Sequence, residues 1–523
     1  MSAPGATAPR GHGGPARTPA IVPGLALAML ALELATSSRY PMFRDEFYYV
    51  ACGRHLAWGY VDHPPMIALL ARLSVVLGGG TLFGIRFLPA LAGAVTVWLA
   101  GDLARRLGGG RWACAFACLG VMLGPVYLEN FRLLTMNAFE IVAWTLALWC
   151  AVRLLPYARE QRPAPLHLWL LLGLVAGLGL ENKHSFAFLL VGLAVGLVLT
   201  PARALLRTGG PWLAMLVALL LAAPNLAWEI AHHWPTLEFL RNAAGHKNAV
   251  LPPATFMWGQ AQMLEPLAAP VWIAGVLWLL FARSAAAWRA LGVTWLAILA
   301  TFIVTHAKVY YLAPCYPLLF AAGGVAFERA TRALPALRPA YAAVLVLAGA
   351  LLAPVVMPLL PPAQLERYLH ALHLHPVATE RHREPRLTQT IADQFGWEEM
   401  VAKVARVYHA LSPEDQRRVV LYAHNYGEAG ALDWYGPRYG LPPAYSGHNS
   451  YWWWGPPPPD RGAVALTVGE DRDDVAKTYA QASVVDSTDC TWCMPYENHV
   501  LITVARQPKN TFAEIWARCR MYI

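Results

Sequence analysis

Apolar residues fall in long, nearly uncharged runs over the first 360 positions, near 21–37, 82–104, 112–128, 138–155, 166–180, 186–200, 211–228, 266–282, 290–305, 312–327 and 339–360. Runs of this kind match the hydrocarbon thickness of a bilayer, and they predict about eleven spans. No strand-length alternation interrupts them, and in lipid every backbone group must be bonded internally, so the spans are predicted as helices. The segment between the first two runs, 38–81, is much longer than an ordinary connection, which marks it as functional or disordered. Its content argues for order. It carries Phe43, Phe47, Tyr48, Tyr49, Trp58 and Tyr60, then Pro64 and Pro65, then an apolar stretch from Met66 to Leu77. That stretch is too short to span and fits an interfacial helix.

Beyond 360 the pattern changes. Residues 361–390 are rich in Pro, His and Arg and read as a connector over the membrane surface. From 391 the periodicity predicts a helix at 393–411, a strand at 418–424, a helix at 426–436, a strand at 463–469 and a helix at 472–481. Strands near 482–487 and 499–506 and a final helix from 511 follow. Alternation of this kind predicts a small α/β domain over 391–523. The expected organisation is a disordered cytoplasmic lead (1–20), a helical membrane domain (21–360), the connector and this domain.

Composition agrees: the 523 residues are 57% apolar and 14% charged, with mean hydropathy +0.39, which excludes an ordinary soluble enzyme. The charge is divided unevenly. Residues 1–360 hold 25 Lys+Arg against 13 Asp+Glu, and 361–523 hold 16 against 19. Within the first part the arginines sit on alternate connections, at Arg10 and Arg17, Arg105, Arg106 and Arg111, Arg153, Arg159 and Arg162, Arg203 and Arg207, Arg283 and Arg289, and Arg329, Arg332 and Arg338. By the positive-inside rule these connections and the N-terminus are cytoplasmic, and an odd number of spans puts the C-terminal domain outside. The basic excess therefore reads as membrane anchoring plus an outer cationic site, and a nucleic-acid partner is not expected.

The connections assigned to the outside hold most of the chemistry. They carry Arg44, Asp45, Glu46, Tyr48 and Tyr49; Tyr60, Asp62 and His63; Glu129, Arg132, Asn137 and Glu140; Glu181, Lys183 and His184; Glu229, His232 and His233; His246 and Lys247; and Lys308, Tyr310 and Tyr311. Outer loops are polar in any membrane protein, but the inner ones here lack these groups, so a site at the outer interface is expected. An Asp-Glu pair beside an arginine can supply a general base and a charged partner that keeps it ionised.

Arg44-Asp45-Glu46-Phe47-Tyr48-Tyr49, followed by Gly59-Tyr60-Val61-Asp62-His63-Pro64-Pro65, resembles the first outer loop of the polyprenyl-phosphate-sugar-dependent glycosyltransferases. These membrane enzymes include the protein O-mannosyltransferases and the lipid A aminoarabinose transferases. Gly179-Leu180-Glu181-Asn182-Lys183-His184-Ser185, Pro224-Asn225, Lys308-Val309-Tyr310-Tyr311-Leu312 and Asn425-Tyr426-Gly427-Glu428-Ala429-Gly430 resemble later parts of the same family. The resemblance implies a mainly α, polytopic membrane protein with a GT-C fold, carrying a small C-terminal α/β extracytoplasmic domain, in the inner membrane. It implies an inverting transfer of sugar from a polyprenyl phosphate donor to a cell-envelope lipid, glycan or protein acceptor. Asp45 matches the first-loop carboxylate that activates the acceptor, with Glu46 beside it, and Lys183 and Lys308 match basic groups facing the lipid phosphate. Arg44, Tyr48, Tyr60, Asp62, His63, Asn137, Glu140, His184, Tyr310 and Tyr311 complete the expected substrate site. One departure stands out: many relatives carry an Asp where this chain has Asn137, which cannot act as a base, and Glu140 is the nearby alternative.

The reaction itself asks for such a set, because a base must take the acceptor proton on one face of the sugar and cations must stabilise the phosphate leaving on the other. Arg54 and Lys247 add to the available cations, while no glycine-rich phosphate loop is visible. A divalent cation held by His63, His232 and His233 with Asp45 or Glu46 is a candidate without a tight ligand pattern. Cys490 and Cys493 form a C-x-x-C for which a structural disulfide is expected, with a zinc site or redox pair as alternatives. Tyr451-Trp452-Trp453-Trp454 is a surface for a sugar or for the headgroup layer, with His448 and Asn449 at the cavity mouth. Two other functions fit the composition: a transporter or flippase, expected to carry ionisable groups at mid-membrane and repeated halves, and a non-catalytic glycan-binding membrane protein.

Overall fold

The computed structural model describes residues 18–247, 249–373 and 383–523, and gives no side-chain account of His246, Lys247 or Phe512. Most of the expected lead and the Lys247 side chain therefore lie outside the described residues. Every predicted apolar run carries a helix. Six helices are long and apolar enough to cross a membrane alone, and up to nine spans result when three bent pairs are each counted as one. Ile21–Thr36 and Leu166–Asn182, at 16 and 17 residues, fall just below that length, so the count stays short of the eleven expected. All three pairs bend next to proline, by 64° between Arg111–Leu123 and Pro125–Phe131, by 107° between Phe186–Val198 and Pro201–Arg207, and by 98° between Pro253–Met263 and Pro266–Phe281. Proline opens a helix well but cannot continue one through its missing N–H. Pro253–Met263 was not expected from the apolar runs, since Gln260 and Gln262 dilute it.

The long segment 38–81 is ordered, as its aromatic content predicts. After α1 (Ile21–Thr36) it forms α2 (Arg44–Arg54) and α3 (Met66–Leu77) before α4 (Leu82–Arg106) begins. Phe43 precedes α2 in extended conformation, and its backbone N–H donates to Glu46 Oε2 at 2.9 Å, so the first turn is closed by Glu46.

The C-terminal domain carries a five-stranded mixed sheet of β1 (Val419–Ala423), β2 (Ala444–Tyr445), β3 (Val464–Val468), β4 (Tyr479–Ser487) and β5 (Leu501–Pro508), in the order β2-β1-β3-β5-β4. β1 runs parallel to β2 and β3, while β5 is antiparallel to both β3 and β4, with Leu421, Leu466 and Val504 in one row. β3 is buried along its whole length, as a strand covered on both faces must be. The connector contributes a helix at Pro362–Leu372 and a short turn at Gln389–Ala392.

Two glycines seat this domain on the first loop. Helix Tyr426–Tyr435 is capped by Asn425, whose side chain accepts from Gly427 N and Glu428 N. A Cβ on Gly427 would lie 2.7 Å from Arg44 Cγ, and one on Gly430 would lie 2.7 Å from Phe47 Cβ. The Asn425-Tyr-Gly-Glu-Ala-Gly motif thus lets the helix of the C-terminal domain press on α2 and brings Tyr426 to the start of α2.

Candidate active site

The elements meet around a cavity of about 480 Å³. Arg44 and Asp45 from α2, Asn137 from the start of helix Met136–Glu160, Lys308 and Tyr310 before Tyr316–Ala330, and Asp393 and Tyr426 from the C-terminal part all line it. Pro125, Val126, Leu133, Trp258, Met263, Val309, Leu352, Val355 and Val356 give it a large apolar share.

Asp45 and Glu46 are neighbours in sequence with different surroundings. Asp45 lies in the first turn of α2, where the helix N-terminus favours a carboxylate, and Tyr426 Oη donates to its Oδ1 at 2.9 Å. Glu46, expected beside it at the reacting centre, is fully buried away from the cavity. Arg86 of α4 meets it with Nε to Oε1 at 3.0 Å and Nη2 to Oε2 at 2.7 Å, and Leu134 N donates to Oε1 at 3.0 Å. Burial would push this carboxyl up, but the Arg86 guanidinium and the backbone donors outweigh it and hold Glu46 below its ordinary range. Its oxygens are fully engaged, so Glu46 fixes α2 against α4 and is no catalytic partner.

The cationic wall is built at the ends of membrane helices. Lys183 Nζ donates to Asn137 Oδ1 at 2.8 Å and to Glu140 Oε2 at 2.7 Å, and it lies 4.6 Å from the Tyr311 ring centroid. Ser185 Oγ also donates to Glu140. Asn137 therefore keeps a place in the site, while Glu140 is a buried counterion of Lys183 and does not replace the missing Asp as a base. Lys308 is placed by its neighbours: Gln260 Nε2 donates to Val309 O at 3.1 Å, Tyr316 Oη donates to Gln260 Oε1 at 3.1 Å, and Tyr127 Oη donates to Ala313 O at 2.8 Å. Behind them, a Cβ on Gly323 would lie 1.8 Å from Val271 O, so only glycine lets helices Ala269–Phe281 and Tyr316–Ala330 approach this closely.

Four expected substrate residues form a packed support next to the cavity. Tyr48 Oη donates to Asp62 Oδ1 at 2.6 Å, lies 2.8 Å from Ser450 Oγ, and accepts from Ser450 N at 3.2 Å. Tyr60 stacks on His63 at 4.6 Å, and its hydroxyl is shared among the Cys52 and His55 carbonyls and Ala57 N. Tyr48, Tyr60 and His63 are buried, and Tyr48 joins the segment 38–81 to the C-terminal domain through Ser450. Asp62 is close enough to Asp45 for the two charges to interact; burial first and then Asp45 raise its carboxyl, while His63 and Tyr48 oppose the rise. His184 Nε2 pairs with Asn225 Oδ1 at 2.9 Å, which leaves it a positioning contact between two membrane helices.

Other candidates also find partners elsewhere. Arg54 Nη1 donates to Asp433 O at 3.3 Å, away from this cavity. Trp454 stacks on His55 at 4.3 Å and Trp453 meets His232 edge-on at 5.0 Å, so these rings serve domain seams, while His448 Nε2 pairs with Ile523 O at 2.9 Å within the C-terminal domain. His232 also stacks on Trp228 at 4.1 Å. Among the described residues no three His, Cys, Asp or Glu side chains come together to hold a metal ion, so the proposed histidine set does not fit a divalent cation. Cys490 and Cys493 are both thiols in place of the expected disulfide, with Cys493 N donating to Cys490 Sγ at 3.1 Å.

Sequence reasoning missed Asp393. It is 5% exposed and lines the cavity, Tyr496 Oη donates to its Oδ1 at 3.0 Å, and its backbone carbonyl accepts from Arg44 N at 3.1 Å. No motif surrounds it in the sequence; only the close seat of the outer domain brings it to Asp45. Tyr426 was visible as part of a motif, but its bond to Asp45 was not.

Comparison with known proteins agrees with this architecture. Residues 62–228 match the family described as dolichyl-phosphate-mannose-protein mannosyltransferase. The lipid A galacturonosyltransferase RgtD of Rhizobium johnstonii is 28% identical over 208 residues, which is 39% of this chain and 41% of that protein. An undecaprenyl phosphate-alpha-4-amino-4-deoxy-L-arabinose arabinosyl transferase of Pseudomonas paraeruginosa is 32% identical over 199 residues, 36% of this chain and 34% of that protein. The matched region thus spans less than half the length of these relatives. The crystal structure of ArnT from Cupriavidus metallidurans bound to undecaprenyl phosphate superposes with a TM-score of 0.59 at 16% identity, covering 92% of this chain and 97% of that one, which establishes the fold. The protein is a multi-pass membrane protein with a GT-C fold, and residues 62–228 are similar to the dolichyl-phosphate-mannose-protein mannosyltransferase family.

Proposed function

We propose that the protein is an inverting glycosyltransferase that moves a sugar from a polyprenyl phosphate carrier to a cell-envelope acceptor on the outer face of the membrane. The carrying observation is that Asp45, Lys308 and Asn137 line one cavity with a large apolar wall. The apolar residues suit a lipid chain. Lys308, with Lys183 behind Asn137, faces the charge that develops on a leaving phosphate. Asp45, steadied by Tyr426, takes the proton of the acceptor as it attacks the anomeric carbon from the opposite face. The names of the relatives support a lipid-linked donor and an envelope acceptor. The alternation of arginine-rich connections supports a cytoplasmic N-terminus and an outer C-terminal domain.

The test is mass analysis of envelope lipids and glycans from cells with and without the protein. Loss of one sugar-sized increment from a lipid or glycan in its absence is expected. Identical spectra under conditions where the protein is made would contradict the reading.

A further inference from the structure

The outer-domain side of the cavity is built around Arg44. Its guanidinium lies 4.8 Å from the ring centroid of Tyr426 and 5.4 Å from that of Tyr496, and its Nη1 donates to Tyr496 Oη at 3.1 Å. Each of these tyrosines holds one carboxylate: Tyr426 donates to Asp45 Oδ1 and Tyr496 to Asp393 Oδ1. Among the described residues the second oxygen of each carboxylate has no hydrogen-bond partner, and both residues line the cavity. Asp393 is more than nine-tenths buried, so an oxygen left without a partner there faces whatever fills the cavity.

We propose that Asp393 and Asp45 together bind the acceptor as an uncharged hydroxyl, Asp393 holding the hydroxyl-bearing group while Asp45 takes its proton. This rests on the glycosyltransferase reading above. In the step, the acceptor O–H proton passes to the Asp45 carboxylate and a bond forms from that oxygen to the anomeric carbon. The bond from that carbon to the phosphate oxygen breaks, and its electron pair leaves on the polyprenyl phosphate.

Charge selects the acceptor class. Asp45 and the buried Glu497 both act on Asp393, and Arg44 opposes the charge of Asp393, Glu497 and Glu428. From the membrane side Arg132 bonds to Gln394, and Glu129 accepts from Thr390. A phosphate acceptor would add negative charge beside three carboxyls, whereas a sugar or lipid hydroxyl adds none. Burial pushes the Asp393 carboxyl up to about 7; Arg44 opposes the rise, and Asp45 and Glu497 add to it. Below that pH the protonated group donates to an acceptor oxygen; above it this donor is lost and a negative charge appears at Asp393.

The test uses the full chain. Envelope material from cells making the protein is treated with mild acid, which cleaves a sugar joined to phosphate far faster than one joined to a carbon-bound hydroxyl. Retention of the added sugar is expected, and its release overturns the proposal. In membrane vesicles Asp393→Ala is expected to lower transfer by about tenfold or more, while undecaprenyl phosphate binding by the purified protein changes by less than about twofold. Asp393→Asn, which keeps a donor, should retain more transfer than Asp393→Ala and lose the wild-type decline above about pH 7. Normal transfer in Asp393→Ala overturns the proposal, and so does a parallel loss of undecaprenyl phosphate binding, because Asp393 would then support the fold or the donor. A wild-type protein that adds no sugar at all is a failure of the underlying enzyme reading and is seen before any variant is made.

Discussion

The two walls of the cavity are built by different means. On the membrane side the charged groups are neutralised within the wall: Lys183 is locked between Asn137 and Glu140 and lies against Tyr311, at the ends of helices that pack tightly through glycine. On the side of the C-terminal domain Arg44 faces Asp393, Glu497 and Glu428, and two tyrosines each leave one carboxylate oxygen of Asp45 and Asp393 uncommitted. The first wall is suited to hold an anion in a fixed place. The second is suited to change protonation while a bond is made. A site with its lysines and its uncommitted carboxylate oxygens on separate walls lets the difference between them be tested one side at a time.

The largest effect is expected where neither wall is touched directly. Glu46→Ala leaves Arg86 charged, buried and without its carboxylate, so a loss of about 3–5 kcal/mol is expected, read as a lower thermal midpoint or lost expression in detergent. If Glu46→Ala instead folds normally but loses transfer, Glu46 has a chemical role and the division between the two acidic neighbours is wrong. Lys308→Ala tests the cationic wall. Transfer should fall by about 10²–10³-fold and undecaprenyl phosphate binding should weaken with it, measured on purified protein. Gly430→Ala tests the seam that carries the outer wall: its new methyl group meets Phe47, and a cost of about 1–3 kcal/mol with lower transfer is expected in thermal melts and vesicle assays.

The smallest effect concerns Asp393 without substrate. Its folded carboxyl, raised to about 7 from 3.8, favours the folded state below the lower value, and that contribution is lost as pH rises through the higher one. The gap in thermal midpoint between Asp393→Asn and wild type should therefore widen in favour of the variant from about pH 4 to about pH 7, and a constant gap would place the Asp393 carboxyl near its ordinary range.

The membrane helices and the α/β domain are legible in the sequence because hydrophobic runs and strand-helix alternation are local signals. Asp45 is legible through its motif. Glu46 looked equivalent because its fate depends on Arg86, forty positions away and inside an apolar run where a single arginine gives no indication of its partner. Tyr48, Tyr60 and His63 have the residue types that bind sugars, but the same rings and donors also suit a domain seam, and only packing distinguishes the two uses. Asp393 could not be found at all, since it lies just past the connector without a motif around it and reaches the cavity through contacts that Gly427 and Gly430 permit.

The most direct test of the account compares wild type and Asp45→Asn in membrane vesicles supplied with the native lipid-linked donor and acceptor, with undecaprenyl phosphate binding followed on the same preparations. The asparagine keeps the size of the side chain and a bond to Tyr426 but cannot take a proton. Transfer is expected to fall by about 10²–10⁴-fold with binding unchanged. Transfer at the wild-type rate would show that Asp45 is not the base and contradict the account.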